Sequence, residues 1–238
     1  MSFLFKDTER AARRLQIVAD VFAFSSRPFL QAVVGTAPEV AIDLGCGPGY
    51  TTCLLAEVSQ CVRAIGLGSS EYFLWQAQRN APTYFSFVRH DVTHIPFPTE
   101  PCDLIFCRLL LTHLQVQISV LERWGTQLRP QDLLLVEEVE WVRTEHPLLR
   151  RYLEIQTALF KQRGNELYIG LGLEQYRVND GLRRCLSRVS GTCFYDTGSY
   201  HVFPESPIVE TPSFRSAAVW GRHRAPGTRF ASPGDPCH

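Results

Sequence analysis

At 238 residues and 45% hydrophobic content, the chain has room for one large domain with a packed core, or one domain and a modest extension. Lysine plus arginine (24) equals aspartate plus glutamate (24), so no global field draws it to nucleic acid or anionic lipid, and a small, neutral partner is expected. No apolar run approaches the roughly 18–20 residues of a membrane span and no secretory leader is visible, which together predict a cytoplasmic protein.

In chain order, Asp7 or Thr8 caps a first helix, in which Leu15, Val18 and Phe22 recur at helical spacing opposite Arg13 and Arg14. Pro28 is expected to open a separate short helix, closed by Gly35 and Pro38. Short apolar runs then alternate with helical patterns: strands over 40–45, 62–68, 84–92, 103–110 and 132–141, with a helix through Val116 to Leu128 before the last. Strands apolar on both faces and separated by helices predict an α/β fold, a doubly wound, mostly parallel sheet of Rossmann-like type. His146 and Pro147 start one more helix, ended at Gly164. Residues 181–238 are rich in Gly, Pro, Ser and Thr, with only weak strand candidates at 200–204 and 216–221. The organisation read from this is an N-terminal helical lid (1–37), a ligand-binding core with a helical insertion at 146–180 (38–180), and a weakly structured or edge-hairpin extension (181–238).

Of the eight cysteines, Cys46, Cys53, Cys61, Cys102 and Cys107 fall in apolar runs and read as reduced, buried thiols. There is no CxxC pair, and His90 and His94 flank a strand end, so no metal site is expected. Trp75, within the apolar FLW run, reads as core.

The sharpest feature is AIDLGCGPGYTT at 41–52, where a buried strand runs into Gly45, Gly47 and Gly49 and then a helix. Glycines permit positive φ and close approach of a ligand, and the helix N-terminus offers free N–H groups. A dinucleotide loop wants a glycine at position 50 and an apolar residue at 43, but Tyr50 and Asp43 stand there; a phosphate loop wants a lysine after Gly49. A carboxylate beside exposed amides suits a zwitterion, with its ammonium near Asp43 and its carboxylate over the loop.

The run D-L-G-C-G-P-G resembles the first motif of class I methyltransferases dependent on S-adenosylmethionine (SAM), and the similarity continues in order from about 38 to 141. That resemblance implies SAM as cofactor, and a binding set of Asp43, Gly45, Cys46, Gly47 and Gly49 in the loop. Asp91 and Val92 follow as an adenine-facing pair after the third strand, and Cys107 as part of a fourth strand that closes the pocket. An acid ending the second strand grips the ribose hydroxyls in that family; here Gly68 stands in its place, followed by Ser69. The family also completes its sheet with a C-terminal β-hairpin, which the breaker-rich tail predicts to be degenerate.

Methyl transfer to a small-molecule oxygen, nitrogen or carbon is the function this implies. Alignment of the two reactants carries most of the chemistry, so no universal catalytic side chain is needed. If a base helps, His113, Glu138 and Glu140 are the candidates, with Glu137 and Glu138 pointing to opposite faces of their strand. For His113 the competing reading is a helix-start histidine bonded to backbone. Tyr50 either lies over the cofactor or packs on the leading helix, and Trp141 is a candidate wall of the acceptor pocket. The alternative functions are a SAM-binding protein of impaired catalysis, motivated by Gly68 and the tail, and, further off, an NAD-dependent oxidoreductase.

Overall fold

The computed structural model describes residues 7–176, 182–194, 200–204 and 216–222. It opens on helix α1 (Glu9–Val33), where the Thr8 hydroxyl accepts from the Ala11 amide at 3.2 Å and Glu9 lies in the first turn. Two helices split at Pro28 were expected; one helix runs through the proline instead. An internal proline removes a hydrogen bond at a cost of about 3 kcal/mol. Packing outweighs it here, because Phe22, Phe29, Leu30 and Val33 are all buried on the two sides of Pro28, each contributing roughly 1.5–3 kcal/mol.

Strands β1 (Val40–Leu44), β2 (Arg63–Gly68), β3 (Phe85–Arg89), β4 (Cys102–Arg108) and β5 (Leu128–Glu138) pair in parallel in the order β3-β2-β1-β4-β5. Helices α2 (Tyr50–Ser59) and α3 (Glu71–Asn80) make the first two crossovers. Between β4 and β5 the expected long helix is a 3₁₀ turn (Leu111–His113) and a short α4 (Val120–Gly125). The chain leaves α4 early because β5 begins at Leu128, paired with Cys102, and Trp124 is held in the core by its indole N–H on the Val92 carbonyl at 2.8 Å.

After α5 (Pro147–Gln162) and α6 (Gly170–Gln175) come β6 (Leu182–Phe194), β7 (Tyr200–Pro204) and β8 (Ser216–Arg222). β8 lies antiparallel between β5 and β6, and the eight-stranded sheet ends β5-β8-β6-β7. The C-terminal hairpin is therefore present. Local propensity gave little sign of β8, but pairing along both edges and burial of Ala218, Val219 and Trp220 hold it in the sheet.

Alternation along the strands sorts residues into two layers. Ile42, Leu44, Ile105, Cys107, Leu134 and Val136 face one cluster, joined by Leu111, Trp124 and Leu173. Ala41, Leu104, Phe106 and Leu135 face the other, joined by Phe29 and Leu30 of α1 and Leu55 of α2. The same alternation assigns Asp43, Arg108 and Glu137 to the α1/α2 side, and Glu138 to the opposite side.

Two side chains expected in the core are not there. Trp75 is 54% exposed beneath the Arg79 guanidinium, because Phe73, Leu74 and Ala77 form the inward face of α3. Cys53 shares the solvent face of α2 with Glu57, one turn on, while Thr52, Leu54, Leu55 and Ala56 are buried. Cys46, Cys53, Cys61, Cys102 and Cys107 are free thiols, whereas Cys185 on β6 is disulfide-bonded. Among the described residues no helix is long and apolar enough to cross a membrane, and no group of three or more His, Cys, Asp or Glu is placed to hold a metal ion.

Candidate functional site

The chain turns at the carboxyl end of β1 through three glycines with left-handed φ: Gly45 at +74°, Gly47 at +50° and Gly49 at +87°. The amides of Gly45 and Cys46 both donate to the Leu67 carbonyl, at 2.8 and 3.1 Å, which folds the loop over the end of β2. The glycines serve different ends. A Cβ at Gly45 would strike Leu110 at 2.8 Å and one at Gly49 would press on Ala77 and Phe87 at 3.0 Å, so these two satisfy packing. A Cβ at Gly47 would meet only Leu15 Cδ1 of α1, at 3.7 Å. Its open side faces a cleft of about 160 Å³ between the loop and the first turns of α1.

Beneath the loop lies a buried polar network built by strand alternation. Asp43 is fully buried and accepts from the Thr52 hydroxyl at 2.7 Å. Burial pushes its carboxyl up to about 7, against the pull of Thr52 and of the Arg108 guanidinium. Arg108, paired in register with Glu137, ends β4 at the cleft floor and donates to Thr51 Oγ1 at 2.9 Å and Ser26 Oγ at 3.2 Å. Ser26 in turn donates to Glu137 Oε2 at 2.5 Å. Five elements, α1, β1, α2, β4 and β5, are thus tied together by charge-assisted bonds directly under the glycines.

The cleft runs from this floor to the end of β2, where Gly68, Ser69 and Ser70 line it together with Asp7. At its other side stand Arg14 of α1 and His113 of the 3₁₀ turn. Burial, and next the Arg14 charge, push His113 down to about 4, so the imidazole is neutral at pH 7. Its ring lies 5.5 Å from that of Phe160.

Residues 42–136 match the methyltransferase domain family. The chain shares its fold with a SAM-dependent methyltransferase from Thermotoga maritima, with a TM-score of 0.59 at 15% identity over 90% of this chain and 95% of that one. This stretch is similar to the methyltransferase domain family and has the class I SAM-dependent methyltransferase fold. The N-methyltransferase NodS of Bradyrhizobium japonicum, solved with S-adenosylhomocysteine, shares the fold at a TM-score of 0.53 and 15% identity, covering 84% of this chain and 87% of NodS. Trans-aconitate 2-methyltransferase of Methylobacterium nodulans is 34% identical over 116 residues, 48% of this chain and 44% of the relative. The chain spans about half the length of the curated relatives it matches.

SAM is the cofactor of this domain family, and the site fits it: a cradle that a side chain at Gly47 would fill, amides at the start of α2, and a buried carboxylate below. The domain brings Gly45, Cys46, Gly47, Gly68 and Ser69 to one cleft, with Tyr50 beside them and Asp43 under them; Gly49 caps α2 behind. Other expected site residues lie off the cleft lining. Asp91, past the end of β3, accepts from the amide and hydroxyl of Thr93 at 3.0 and 2.7 Å, and Val92 is buried under Trp124. Cys107 is wholly in the core, on the face of β4 turned from Arg108. Trp141 stacks with Arg143 and is absent from the lining.

Of the candidate bases only His113 reaches the cleft. Glu138, buried on the far side of the sheet, accepts from the amides of Leu110 and Leu111 at 2.8 and 2.6 Å, and so pins the turn that carries His113. Burial pushes its carboxyl up to about 8. Glu140 is off the lining beside α6, where its backbone abuts Gly170. Sequence reasoning missed Arg108. Its signal was there, an arginine within the apolar run IFCRLLL, since a charge inside a buried strand demands a partner and Asp43 and Glu137 are the charges on the neighbouring strands.

Proposed function

We propose that the protein transfers the SAM methyl group to the carboxylate of a small organic acid. The observation that carries the cofactor half is the cleft over the open side of Gly47. Asp43 and Thr52 take the ammonium of the methionine moiety, and the α2 amides with Arg108 take its carboxylate. Bound there, SAM supplies an electrophilic sulfonium methyl. The cleft is smaller than the roughly 300–1,000 Å³ of common ligand sites, so the α1 wall moves outward when a nucleoside arrives.

The acceptor half rests on three supports. Trans-aconitate, the acid named for the relatives, is a carboxylate. Arg14 brings a positive charge to the His113 side of the cleft, a local feature that the balanced net charge conceals. An acceptor already ionised at pH 7 also needs no base, which suits a cleft whose imidazole, at about 4, is a poor proton acceptor. The chain's own part is then to align donor and acceptor and to exclude water.

The test is methyl transfer from labelled SAM to a panel of di- and tricarboxylates, amines and phenols, with mass spectrometry of the products. Methyl esters are the expected result; turnover confined to amines would overturn the acceptor assignment. A SAM-binding protein without turnover is the second reading, favoured by the missing acid at Gly68, and cofactor binding with no product from any acceptor would establish it.

A further inference from the structure

We infer that Asp7, at the head of α1, is the residue that holds the ribose diol of the cofactor; this rests on the proposed orientation of SAM in the cleft. With the methionine moiety on the glycine loop and Arg108, the nucleoside occupies the other end of the cleft, formed by Gly68, Ser69 and Ser70. A vicinal diol presents two O–H donors and is best met by a carboxylate, which accepts with two oxygens. Among the described residues that line the cleft, Asp7 is the only carboxylate.

Asp7 is placed at this end by two independent contacts. Its Oδ2 accepts from the Ser70 hydroxyl at 2.8 Å, tying it to the start of α3. Ala11 and Ala12, one turn into α1, pack with Phe73 of α3, with Leu15 and Tyr72 alongside, so the helix head rests on the helix that follows β2. A glycine ends β2 without any steric demand for one: a Cβ at Gly68 would sit at ordinary contact distance, 3.4 Å from Cys46 Sγ and from Leu74 Cδ2. A carboxylate from α1 does there what a side chain on β2 does not.

Titration calorimetry with S-adenosylhomocysteine and its 2′,3′-dideoxy analogue tests this on the full chain. Asp7→Asn keeps an acceptor for Ser70 and is expected to weaken the natural ligand ten- to a hundredfold, while leaving affinity for the dideoxy analogue within twofold of wild type. Gly68→Asp added to Asp7→Asn is expected to recover at least tenfold. Equal affinity of wild type and Asp7→Asn for S-adenosylhomocysteine, or equal losses with both ligands, overturns the assignment. Failure of the wild-type protein to bind S-adenosylhomocysteine at all overturns the cofactor reading beneath it, a result distinct from either.

Discussion

Asp43 is the point at which stability and ligand binding are set against each other, and Asp43→Asn separates them. Its carboxyl titrates at about 7 rather than at the ordinary 3.8. At 1.36 kcal/mol per pH unit this amounts to about 4 kcal/mol of destabilisation once the group is charged. The folded protein holds the proton between pH 4 and 7 and the unfolded chain does not, so stability falls as pH rises through that window and is level above it. The attraction of Arg108 is already included in that balance, and Arg108 keeps Glu137 when Asp43 is neutralised. Asp43→Asn retains an acceptor for Thr52, so urea denaturation at pH 8 is expected to find the variant more stable than wild type, with the difference vanishing toward pH 4.

Binding is expected to move the other way. Only the ionised carboxylate attracts the ammonium of the ligand, so wild-type affinity for S-adenosylhomocysteine rises roughly eightfold from pH 6 to 7.5 as Asp43 ionises. Asp43→Asn loses about 1.5–3 kcal/mol, ten- to a hundredfold, at pH 7.5, and its affinity is flat across the range. Cys46, Cys53 and Cys107, on which this charge also acts, are pushed above their ordinary value by burial first and stay neutral throughout. Calorimetry at three pH values is sufficient. Equal affinities for wild type and Asp43→Asn at every pH would refute the assignment of the ammonium to this carboxylate.

Gly47→Val projects a side chain into the cleft toward Leu15 from a backbone at φ +50°, and is expected to abolish cofactor binding, read by the same calorimetry. Glu138→Ala strands the two amides of Leu110 and Leu111 and is expected to cost about 2–3 kcal/mol in urea denaturation. Glu138→Gln preserves an acceptor for both and should retain wild-type kcat, whereas loss of turnover with normal stability would make Glu138 a catalytic group after all. With a carboxylic acid acceptor, kcat is expected to be independent of pH from 6 to 9 because His113 titrates near 4; a limb in that range, removed by His113→Gln, would restore the histidine as base.

Much of this was visible in the sequence because of what a parallel sheet demands. Strands covered on both faces read as continuous apolar runs, so β1 to β5 stand out, and a glycine-rich turn between one of them and a helix marks the ligand end of the sheet. β8 does not stand out, because its short apolar core is recognisable only once β5 and β6 are known to flank it. Trp75 shows the limit of a hydrophobic run as a guide: FLW is contiguous, but a helix turns 100° per residue and takes only two of the three inward. The charge network was hidden for a different reason. Asp43, Arg108 and Glu137 are separated by 65 and 29 positions in the chain, and only strand order and register place them on adjacent strands and the same face.

The division of labour along α1 follows from that network. Residues from Phe22 onward are locked: Phe29 and Leu30 are in the core, and Ser26 bonds to both Glu137 and Arg108. Residues from Asp7 to Ala19 form the cleft wall and rest on α3 through alanines and one phenylalanine, a much smaller apolar contact. Opening the cleft therefore moves the first half of the helix against a fixed second half. Ser25, whose hydroxyl donates back to the Phe22 carbonyl at 3.0 Å, adds a side-chain bond to the backbone ladder at the start of the anchored half. The proline that looked like a boundary in the sequence thus lies inside the anchored half, held between Phe22 and Ser26 on one side and Phe29 and Leu30 on the other, and the change from cleft wall to cofactor floor falls before Phe22.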